Sequence, residues 1–489
     1  MRANQQTNGT VQFRLLSDDQ LEEIRRAALH LLEYTGLDVH NAEARALLSG
    51  AGAWVDGVRV RLPSLLVEQA QRSAPRSFSV FSREGDSKKD IHISPGRFHY
   101  GPGPTCPNFM DPRTGEVRKY TRADARAVAT VCDALDSIDF VESLGTVGDI
   151  PYELADTYEF AEMVACTGKP IVAWSYAEEG CREIHEIAMA VAGGEEAFLR
   201  RPNYVFYCEP LSPLVSNREA MDKVIYCARH RIPLIFTPCV IGGGTGPATM
   251  AAIIAQAAAE SWLGLVVSQL IRAGTPYCMG GVVSVLDMKE MNLAYGAPEL
   301  SLLQAGLTEL AHHVGLPLWT TGGCSDSKLV DEQSALEGAL SVLFAGLCGG
   351  DLCHDVGYLE SAMTGSLQQL VMMDEVVSYV KRIIRGIEVM PETLAVDAID
   401  RVGPGGSFLA DDHTLDHFRS EFWFPTLIDR NRREKWETTG STRMVGRAQA
   451  RLIEILDSHK PAPLSAAAQQ KIAAVLAGAD ARFKQSSKS

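Results

Sequence analysis

The chain repeats one pattern of hydrophobic and polar positions: a short apolar run ends in a small or polar cluster, and a helix-like stretch follows. Each repeat has about the length of a right-handed βα unit. The pattern predicts an α/β fold, a TIM (β/α)8 barrel with its chemistry at the carboxyl ends of the strands. The seven runs are FVESLGTVGD (140–149), PIVAWSY (170–176), NYVFYCEP (203–210), PLIFTPC (233–239), PYCMGGVVSV (276–285), PLWTTGGCSDS (317–327) and DLCHDVGY (351–358).

The eighth strand of the barrel is not evident in this pattern. We expect it at RVGPGGSFL, around residues 402–410, or in an irregular segment. The chain is accordingly divided into a mixed α/β N-terminal domain (1–120), the barrel carrying the active site (121–410) and a C-terminal helical extension (411–489).

Before the barrel, local signals predict several elements. Residues 1 to about 12 form a polar segment without the apolar core of a signal peptide. Ser17 is a predicted N-cap for a helix with acidic residues in its first turn, and Gly36 follows the end of that helix. DPRTGE, at 111–116, predicts a hairpin turn between two short strands.

Composition limits the class of partner. The 489 residues are 46% hydrophobic and 22% charged with a net charge of -15, a pI near 5.3 and a mean hydropathy of -0.03. The chain therefore buries a large core, and its charge argues against nucleic acid or an anionic membrane as partner.

The most apolar stretch, 250–271, carries Glu260 and favours a packed helix. Eleven scattered cysteines indicate reduced thiols and a cytoplasmic protein.

A glycine-rich turn, IGGGTGPATM (241–250), follows a strand and precedes a helix. The amides of Gly243 and Gly244 could contact a carboxylate or a cofactor, as such turns bind anions. The turn lacks the Walker lysine and does not match the dinucleotide fingerprint. The alternative is a tight βα turn with no ligand.

The segment GGDLCHDVGYLES (349–361) concentrates polar side chains at one strand end. A metal site would recruit Cys348, Cys353 and His354, but no second cluster has zinc-like spacing. We favour substrate recognition by His354 and its neighbours over a buried structural histidine. In GGCSDSKLVDEQ (322–333), Asp326 and Lys328 also lie at a strand end, although nothing there supports Schiff-base chemistry at Lys328.

Aromatic and acidic residues recur at the predicted strand ends. Glu209 lies in YCEPLSPL, and no Gly-x-Ser-x-Gly elbow of a hydrolase is present. Several rings and a few acids at one rim suit a cation that has no N–H donors, because the faces of the rings attract positive charge. The predicted rings include Tyr100, Phe206, Tyr277 and Tyr358.

Several segments together resemble the trimethylamine methyltransferase family, whose members deliver methyl groups to a corrinoid protein. The resemblance covers nearly the whole chain and rests on the order and spacing of its motifs. They are DDQLEEIRRAALHLLEYTGLDV, FHYGPGPT, YCEPLSPL, GGGTGPAT with its Ala-rich helix, TTGGCSDSK, GGDLCHDVGYLES and GGSFL.

The resemblance implies a TIM barrel that docks a cobalamin-carrying partner over its C-terminal face, and relatives that assemble into homo-oligomers. The founding members carry pyrrolysine in the barrel, whereas this chain has only standard residues, with the equivalent region near 323–328. Members without pyrrolysine resemble quaternary amine demethylases such as glycine betaine methyltransferases. The expected reaction converts glycine betaine to dimethylglycine and places the methyl group on cob(I)alamin.

Such a reaction needs positioning rather than a general acid, because a quaternary nitrogen leaves as a neutral amine. No catalytic side chain is therefore assigned. We expect an imperfect cage, since a perfect one would stabilise the ground state more than the transition state. We expect His354 or the amides of the glycine-rich turn to bind the substrate carboxylate, and Asp326 to lie at the same rim. The members of the cage are expected among Tyr100, Phe206, Glu209, Tyr277 and Tyr358. Two alternatives remain: a metal-dependent lyase or hydrolase using Asp326, Asp351, His354 and Asp355, and a non-catalytic betaine-binding protein.

Overall fold

The computed structural model describes residues 13–486. The polar segment predicted at residues 1 to 12 and the last three residues of the chain lie outside the described part. The N-terminal elements are α1 (Asp18–His30) with a π-helical turn (Leu31–Thr35), β1 (Leu37–Val39), α2 (Ala42–Gly50), β2 (Trp54–Asp56), β3 (Arg59–Arg61), α3 (Ser64–Ser73), β4 (Phe78–Val80) and β5 (Ile91–Ile93).

The predicted boundaries of the first helix are confirmed. The Ser17 side chain accepts a hydrogen bond from the Gln20 amide, and the Gln20 side chain accepts one from the Ser17 amide, which forms a capping box. The helical segment ends at Gly36, whose φ of 73° favours glycine. A Cβ there would also lie 2.4 Å from the Val60 carbonyl oxygen, so β3 packs directly against this turn.

The middle of the chain forms the barrel and its surrounding helices. Its elements are β6 (His99–Tyr100), β7 (Asn108–Met110), β8 (Val117–Lys119), α4 (Arg122–Ala134), α5 (Tyr152–Cys166), β9 (Ile171–Ala173), α6 (Glu178–Ala192), α7 (Glu195–Arg200), β10 (Tyr204–Cys208), β11 (Val215–Ser216), α8 (Arg218–His230), β12 (Leu234–Phe236), β13 (Cys239–Gly242), α9 (Met250–Ile271), β14 (Tyr277–Gly280), β15 (Val282–Leu286), β16 (Leu293–Ala294), α10 (Pro298–His313), β17 (Leu318–Thr321), α11 (Glu332–Cys348), β18 (Leu352–His354), β19 (Tyr358–Leu359), β20 (Thr364–Ser366) and α12 (Leu367–Arg385).

Seven parallel strands form the barrel sheet in the order β6-β18-β17-β14-β12-β10-β9. At the β9 edge, Val141 makes a parallel bridge to Ile171. The same segment reaches the other edge, where the Asp139 amide donates to the Tyr100 carbonyl at 2.7 Å. The segment around Val141 therefore completes a TIM barrel. Six of the seven predicted runs form strands, and the first contributes only this bridge.

The predicted eighth strand at 402–410 is wrong. Residues up to Val402 form a helix, and no strand follows it in the described chain. The missing strand is β6, which pairs with β18 and precedes residue 121. The barrel sheet thus includes part of the segment that we assigned to the N-terminal domain, and the division into domains stays a prediction. The hairpin predicted at DPRTGE is confirmed, because β7 and β8 pair antiparallel across it.

Side-chain alternation along the strands separates two packed layers. One layer fills the barrel interior and includes Val172, Val205, Ile235 and Leu352. The hairpin formed by β4 and β5 packs against these residues and closes the amino end of the barrel. The other layer lies between the strands and the surrounding helices. With its amino end covered, the barrel is accessible from its carboxyl end.

The longest apolar helix lies inside the fold. By length and composition α9 is the one described helix that could cross a membrane, but 83% of its most apolar window is buried. Its Glu260 accepts hydrogen bonds from the Ser212 hydroxyl at 2.6 Å and the Leu214 amide at 2.9 Å. These contacts confirm the predicted packed helix.

The C-terminal part of the chain packs on the barrel helices. Helix α17 (Met444–Ser458) lies against α4 and α12, and helix α18 (Ala466–Ser486) lies against α5 and α6. Its elements are α13 (Pro391–Leu394), α14 (Val396–Val402), α15 (Asp412–Glu421), α16 (Arg433–Thr438), α17 (Met444–Ser458) and α18 (Ala466–Ser486).

Candidate active site

A cavity of about 550 Å³ opens at the carboxyl ends of β9, β10 and β12. Trp174 and Tyr176 reach it from the end of β9, and Tyr207 and Glu209 reach it from the end of β10. Lys223 enters from α8. This end of a TIM barrel is where active sites form, because the loops after the strands can vary without disturbing the core.

Alternation along β10 decides which of its side chains face the cavity. Tyr204 and Phe206 pack in the layer between strands and helices, whereas Val205 and Tyr207 pack inside the barrel. The Tyr207 ring lies 6.0 Å from the Trp319 ring in the interior layer. Glu209 continues the inward series at 205, 207 and 209, so its carboxyl group points toward the barrel axis.

Three carboxyl groups converge on this end of the barrel: Glu142, Glu209 and Asp355. Burial and, to a smaller extent, the charge of Glu209 raise the pKa of Asp355 to about 8, although a hydrogen bond from Tyr295 opposes the rise. The Tyr295 hydroxyl donates to Asp355 Oδ2 at 2.9 Å. All three acids also raise the pKa of the Tyr207 hydroxyl, which therefore lies among them. We call these three residues the acid cluster.

Glu142 is the most unusual member of the acid cluster. Its side chain is fully buried, and neither carboxyl oxygen has a hydrogen-bond partner in the described part of the chain. Burial and the nearby charges of Asp355 and Glu159 raise its pKa well above the usual range. A buried, unpartnered carboxyl group costs stability and is retained where it serves a ligand.

The acid cluster carries little charge in the absence of a ligand. Near pH 7, Asp355 is mostly protonated because its pKa is about 8, and burial shifts the pKa of Glu142 in the same direction. Burial also raises the pKa of Glu209, but only to about 6, because Lys223 and Tyr207 oppose the shift. Glu209 is therefore the ionised member. A bound cation would draw protons from the other two, since opposite charge favours the ionised form.

A second pair of acids supports the aromatic wall of the cavity. The Trp174 indole donates to Glu159 Oε1 at 2.8 Å, and the Tyr176 amide donates to Asp156 Oδ2 at 3.0 Å. The Trp174 and Tyr176 rings pack edge to face with centroids 4.8 Å apart. Burial raises the pKa of Glu159 to about 8 and that of Asp156 to about 6. These contacts orient two rings toward the cavity.

His354 lies in the barrel interior at the end of β18. Its ring stacks on Trp319 at 4.3 Å, and Nδ1 donates to the Thr320 carbonyl at 2.7 Å. Burial lowers its pKa to about 3, so the ring is neutral. Nε2 lies 3.4 Å from Asp355 Oδ2. A neutral imidazole offers no positive charge to a substrate carboxylate, which leaves His354 as a neighbour of Asp355.

The amides of the glycine-rich turn are already used. The Gly243 amide donates to the Gly246 carbonyl and the Gly244 amide donates to the Ile241 carbonyl, each at 2.9 Å. The turn lies between β13 and α9, as predicted, and Ile241 lines the cavity. Because both amides bond within the turn, it has the geometry of a tight βα connection and does not offer them to an anion.

Three of the predicted cage residues point away from the cavity. The Tyr100 hydroxyl donates to the Val342 carbonyl of α11 at 2.9 Å, and the Tyr277 hydroxyl donates to the Ser261 carbonyl of α9 at 2.5 Å. Phe206 packs among the same helix-facing residues. The assignment of these three rings to a substrate cage is corrected, because strand alternation turns them outward. Tyr207, Trp174 and Tyr176 take the inward positions.

Tyr358 is buried beside Asp355. The Thr105 amide donates to its hydroxyl at 2.7 Å, and it also hydrogen-bonds with Asp355. Gly103 allows this close approach, since a Cβ there would lie 1.9 Å from Asp355 Oδ1 and 2.6 Å from the Tyr358 hydroxyl. Tyr358 therefore belongs to the wall around the acid cluster.

Asp326 holds loops together rather than facing the cavity. It accepts hydrogen bonds from the Tyr295 amide at 2.8 Å, the Gly296 amide at 2.9 Å and the Ser361 hydroxyl at 2.7 Å. Since Tyr295 also bonds Asp355, Asp326 supports the cluster indirectly.

The four residues of the metal-dependent alternative are spread over the barrel. Asp351 Oδ2 accepts from His312 at 3.0 Å and from the Leu318 amide at 2.7 Å, at the amino ends of β17 and β18. Only His354 and Asp355 lie together near the cavity. Within residues 13–486, no three His, Cys, Asp or Glu side chains are grouped to hold a metal ion.

Two charged candidates were missed in the sequence. Glu142 follows Phe140 by two positions, and strand alternation from the inward Phe140 ring predicts an inward carboxyl group. Lys223 lies one turn from Ala220 and beside Val224 on the buried face of α8. A lysine on the buried face of a helix could have been noticed in the sequence, because its ammonium group must reach a polar partner.

Comparison with known proteins supports the fold and the reaction class. The family model for trimethylamine methyltransferase (MTTB) matches residues 1–483. The trimethylamine methyltransferase MttB of Desulfitobacterium hafniense strain DCB-2 is 34% identical over 94% of this chain and 92% of its own. A glycine betaine methyltransferase of D. hafniense strain Y51 is 28% identical over 95% of this chain and 97% of its own. The monomethylamine methyltransferase MtmB of Methanosarcina barkeri shares the fold, with a TM-score of 0.53 at 11% identity over 92% of this chain and 89% of its own.

Proposed function

Because this chain belongs to the trimethylamine methyltransferase (MTTB) family and is a methyltransferase, we propose that its methyl donor is a quaternary amine of the glycine betaine type. The proposed acceptor is a corrinoid carried by a partner protein, and the other product is the tertiary amine. Relatives at comparable coverage act on trimethylamine or on glycine betaine by name, so family membership leaves the amine open.

The acid cluster beneath an aromatic wall is the observation that supports a quaternary ammonium ligand. Such a cation has no N–H group, so it binds through Coulomb attraction and the faces of aromatic rings rather than through directed hydrogen bonds. Glu209 supplies charge at the cavity lining, and the carboxyl oxygens of the nearby Glu142 have no fixed donor in the described chain. Trp174, Tyr176 and Tyr207 supply the ring surface.

The chemistry requires the chain to orient the substrate and exclude water. A quaternary nitrogen leaves as a neutral amine when its C–N bond breaks, so no side chain has to donate a proton. The positive charge on nitrogen falls as the methyl group departs, and an excessively strong cage would slow the reaction. In the empty site near pH 7, Glu209, with a pKa of about 6, is ionised, whereas Asp355, with a pKa of about 8, is mostly protonated. Holding the methyl group in line with its acceptor supplies the larger effect.

The open end of the barrel suits the approach of a corrinoid-bearing partner. When docked, the corrinoid supplies the nucleophile that accepts the methyl group. Exposed apolar side chains on the cavity rim, among them Tyr176 and Leu211, fit the large and mostly apolar face of such a group. The methyl group must be presented to its acceptor at this open side of the cavity.

The proposal includes a cytoplasmic location. All eleven cysteines are free, and nine of them are buried. Free thiols are the state that a reducing compartment maintains.

Methyl transfer is tested by incubating the protein with cob(I)alamin and glycine betaine, proline betaine, carnitine or choline. We expect the cob(I)alamin absorption to disappear with at least one of these amines. Glu209→Gln should reduce the rate with that amine by about tenfold or more, as expected for the loss of an ionised carboxylate that lines the cavity. Glu196→Gln is the matched control, since the Glu196 side chain is 90% exposed on α7.

Two outcomes would contradict the proposal. Transfer from trimethylamine with none from the four quaternary amines would make the substrate a tertiary amine. Binding of a quaternary amine without any transfer, even with a corrinoid partner protein present, would make the chain a binding protein.

A further inference from the structure

Lys223 occupies an unusual position for a lysine. It lies on the buried face of α8, is only 8% exposed, and extends its ammonium group to the cavity at the carboxyl end of the barrel. Nζ donates to the Ser175 carbonyl at 2.6 Å. Among residues 13–486, no carboxylate oxygen lies within 4 Å of this nitrogen. A buried ammonium group with one neutral acceptor is poorly compensated, because it has three N–H donors.

The charge of Lys223 is directed at the cavity. It lowers the pKa of both Glu209 and Asp156 by through-space attraction, so both acids lie nearby without pairing with it. Lys223 and Glu209 both line the cavity. An anionic ligand group could therefore satisfy the remaining N–H donors of Lys223.

The other groups first expected to bind an anion are not available. The amides of Gly243 and Gly244 bond within their turn, and His354 is neutral. Among the described residues that line the cavity, Lys223 is the one with a positive side chain. The described lining of the cavity thus presents one carboxyl group, that of Glu209, and one ammonium group, that of Lys223.

We infer that Lys223 binds the carboxylate of the substrate and thereby selects a zwitterion, an ammonium carboxylate, over a quaternary amine that carries only positive charge. The inference rests on the proposed function and specifies its substrate class. Lys223 is a specificity-determining residue that touches the anionic end of the substrate, while Glu209 and the aromatic rings of the cavity contact the cationic end.

The test compares glycine betaine with its carboxamide, which has the same trimethylammonium group and nearly the same size but no carboxylate. Binding is measured by calorimetry at pH 8, about two units above the pKa of Glu209, so that loss of Lys223 does not change the charge of that acid. The wild-type protein should prefer glycine betaine by about tenfold or more, the range for a charge-assisted hydrogen bond.

Lys223→Met should remove this preference and leave tetramethylammonium binding within about threefold, whereas Lys223→Arg should keep part of the preference because it keeps the charge. Lys88→Met is the matched control, since Lys88 is exposed in the loop between β4 and β5 at the closed end of the barrel. Thermal unfolding of each variant verifies the fold.

Each adverse result has a distinct meaning. If the wild-type protein binds the carboxamide as tightly as glycine betaine, the inference is overturned without reference to any variant. Equal losses of all three ligands in Lys223→Met would show that Lys223 supports the site without touching a carboxylate. If the wild-type protein binds no trimethylammonium ligand, the proposed function itself fails.

Discussion

The substitution Asp355→Asn should stabilise the protein, and the gain should grow with pH. Asparagine has the same shape, and its amide oxygen can accept the hydrogen bond that Tyr295 donates to Asp355. The backbone at this position has a φ of 73°, in the left-handed region where Asn is as acceptable as Asp. The substitution therefore changes little except the ability to ionise.

The expected magnitude follows from the pKa of Asp355, which burial raises from 3.8 to about 8. Between these values the folded protein holds a proton that the unfolded chain has lost, so stability falls as pH rises. Each unit corresponds to about 1.4 kcal/mol. Buried Asp355 therefore lowers the free energy of unfolding by about 1.6 kcal/mol at pH 5 and by about 5 kcal/mol at pH 8. Both figures are upper bounds, because neighbouring groups can relax. Asparagine avoids this cost at both pH values.

Thermal unfolding of the two proteins at pH 5 and pH 8 measures the effect. For a chain of this length about 1 kcal/mol shifts Tm by roughly 1 to 2 °C, so the variant should gain about 5 °C at pH 8 and less than half of that at pH 5. Asp287→Asn is an opposite control, because backbone amides lower the pKa of exposed Asp287 and its removal should slightly destabilise at high pH. Equal shifts at both pH values for Asp355→Asn would refute the reasoning.

Three further predictions concern the site and its support. Tetramethylammonium binding near pH 7 should release protons from the acid cluster. The binding enthalpy measured by calorimetry should then vary with the ionisation enthalpy of the buffer, and a binding enthalpy that is the same in all buffers would contradict this prediction. Gly103→Ala should abolish binding of the same ligand, since the new Cβ would lie 1.9 Å from Asp355 Oδ1. The control Gly148→Ala should bind normally in the same titration, because its Cβ would lie 3.5 Å from the nearest neighbouring atom. Lys169→Met should lower the free energy of unfolding by about 3 kcal/mol or more, because the Lys169 ammonium group donates to three buried carbonyl groups. An unchanged midpoint in urea unfolding would show that those carbonyl groups find other partners.

The barrel could be predicted from the sequence because its strands are buried on both faces and read as continuous apolar runs. PLIFTPC and NYVFYCEP became β12 and β10 for this reason. β6 could not be found in the same way, since it has only two residues, His99 and Tyr100, and lies far from the next barrel segment in sequence. Its identity depends on pairing with β18 and the segment around Val141, which is a tertiary property.

The site was harder to predict than the fold, because a strand end in the sequence does not tell which side chains face inward. Phe206 and Tyr207 are adjacent and equally aromatic, yet only Tyr207 reaches the cavity. A shift of one residue in the register inverts such an assignment. The resemblance of whole segments to a family carried the reaction class, whereas the positions of Glu142 and Lys223 required the packed structure.

The acid cluster connects the stability of the protein to its proposed reaction. Glu142 and Asp355 are destabilising where they are buried, and replacing either by an amide should make the fold more stable. Selection for stability alone would remove such groups, so their presence indicates a function that needs them. A cation entering the cavity would ionise them and gain attraction. As methyl transfer neutralises the nitrogen, the same carboxyl groups could regain their protons, so the attraction would weaken along the reaction. A site built this way binds the charged substrate without holding the departing amine as strongly.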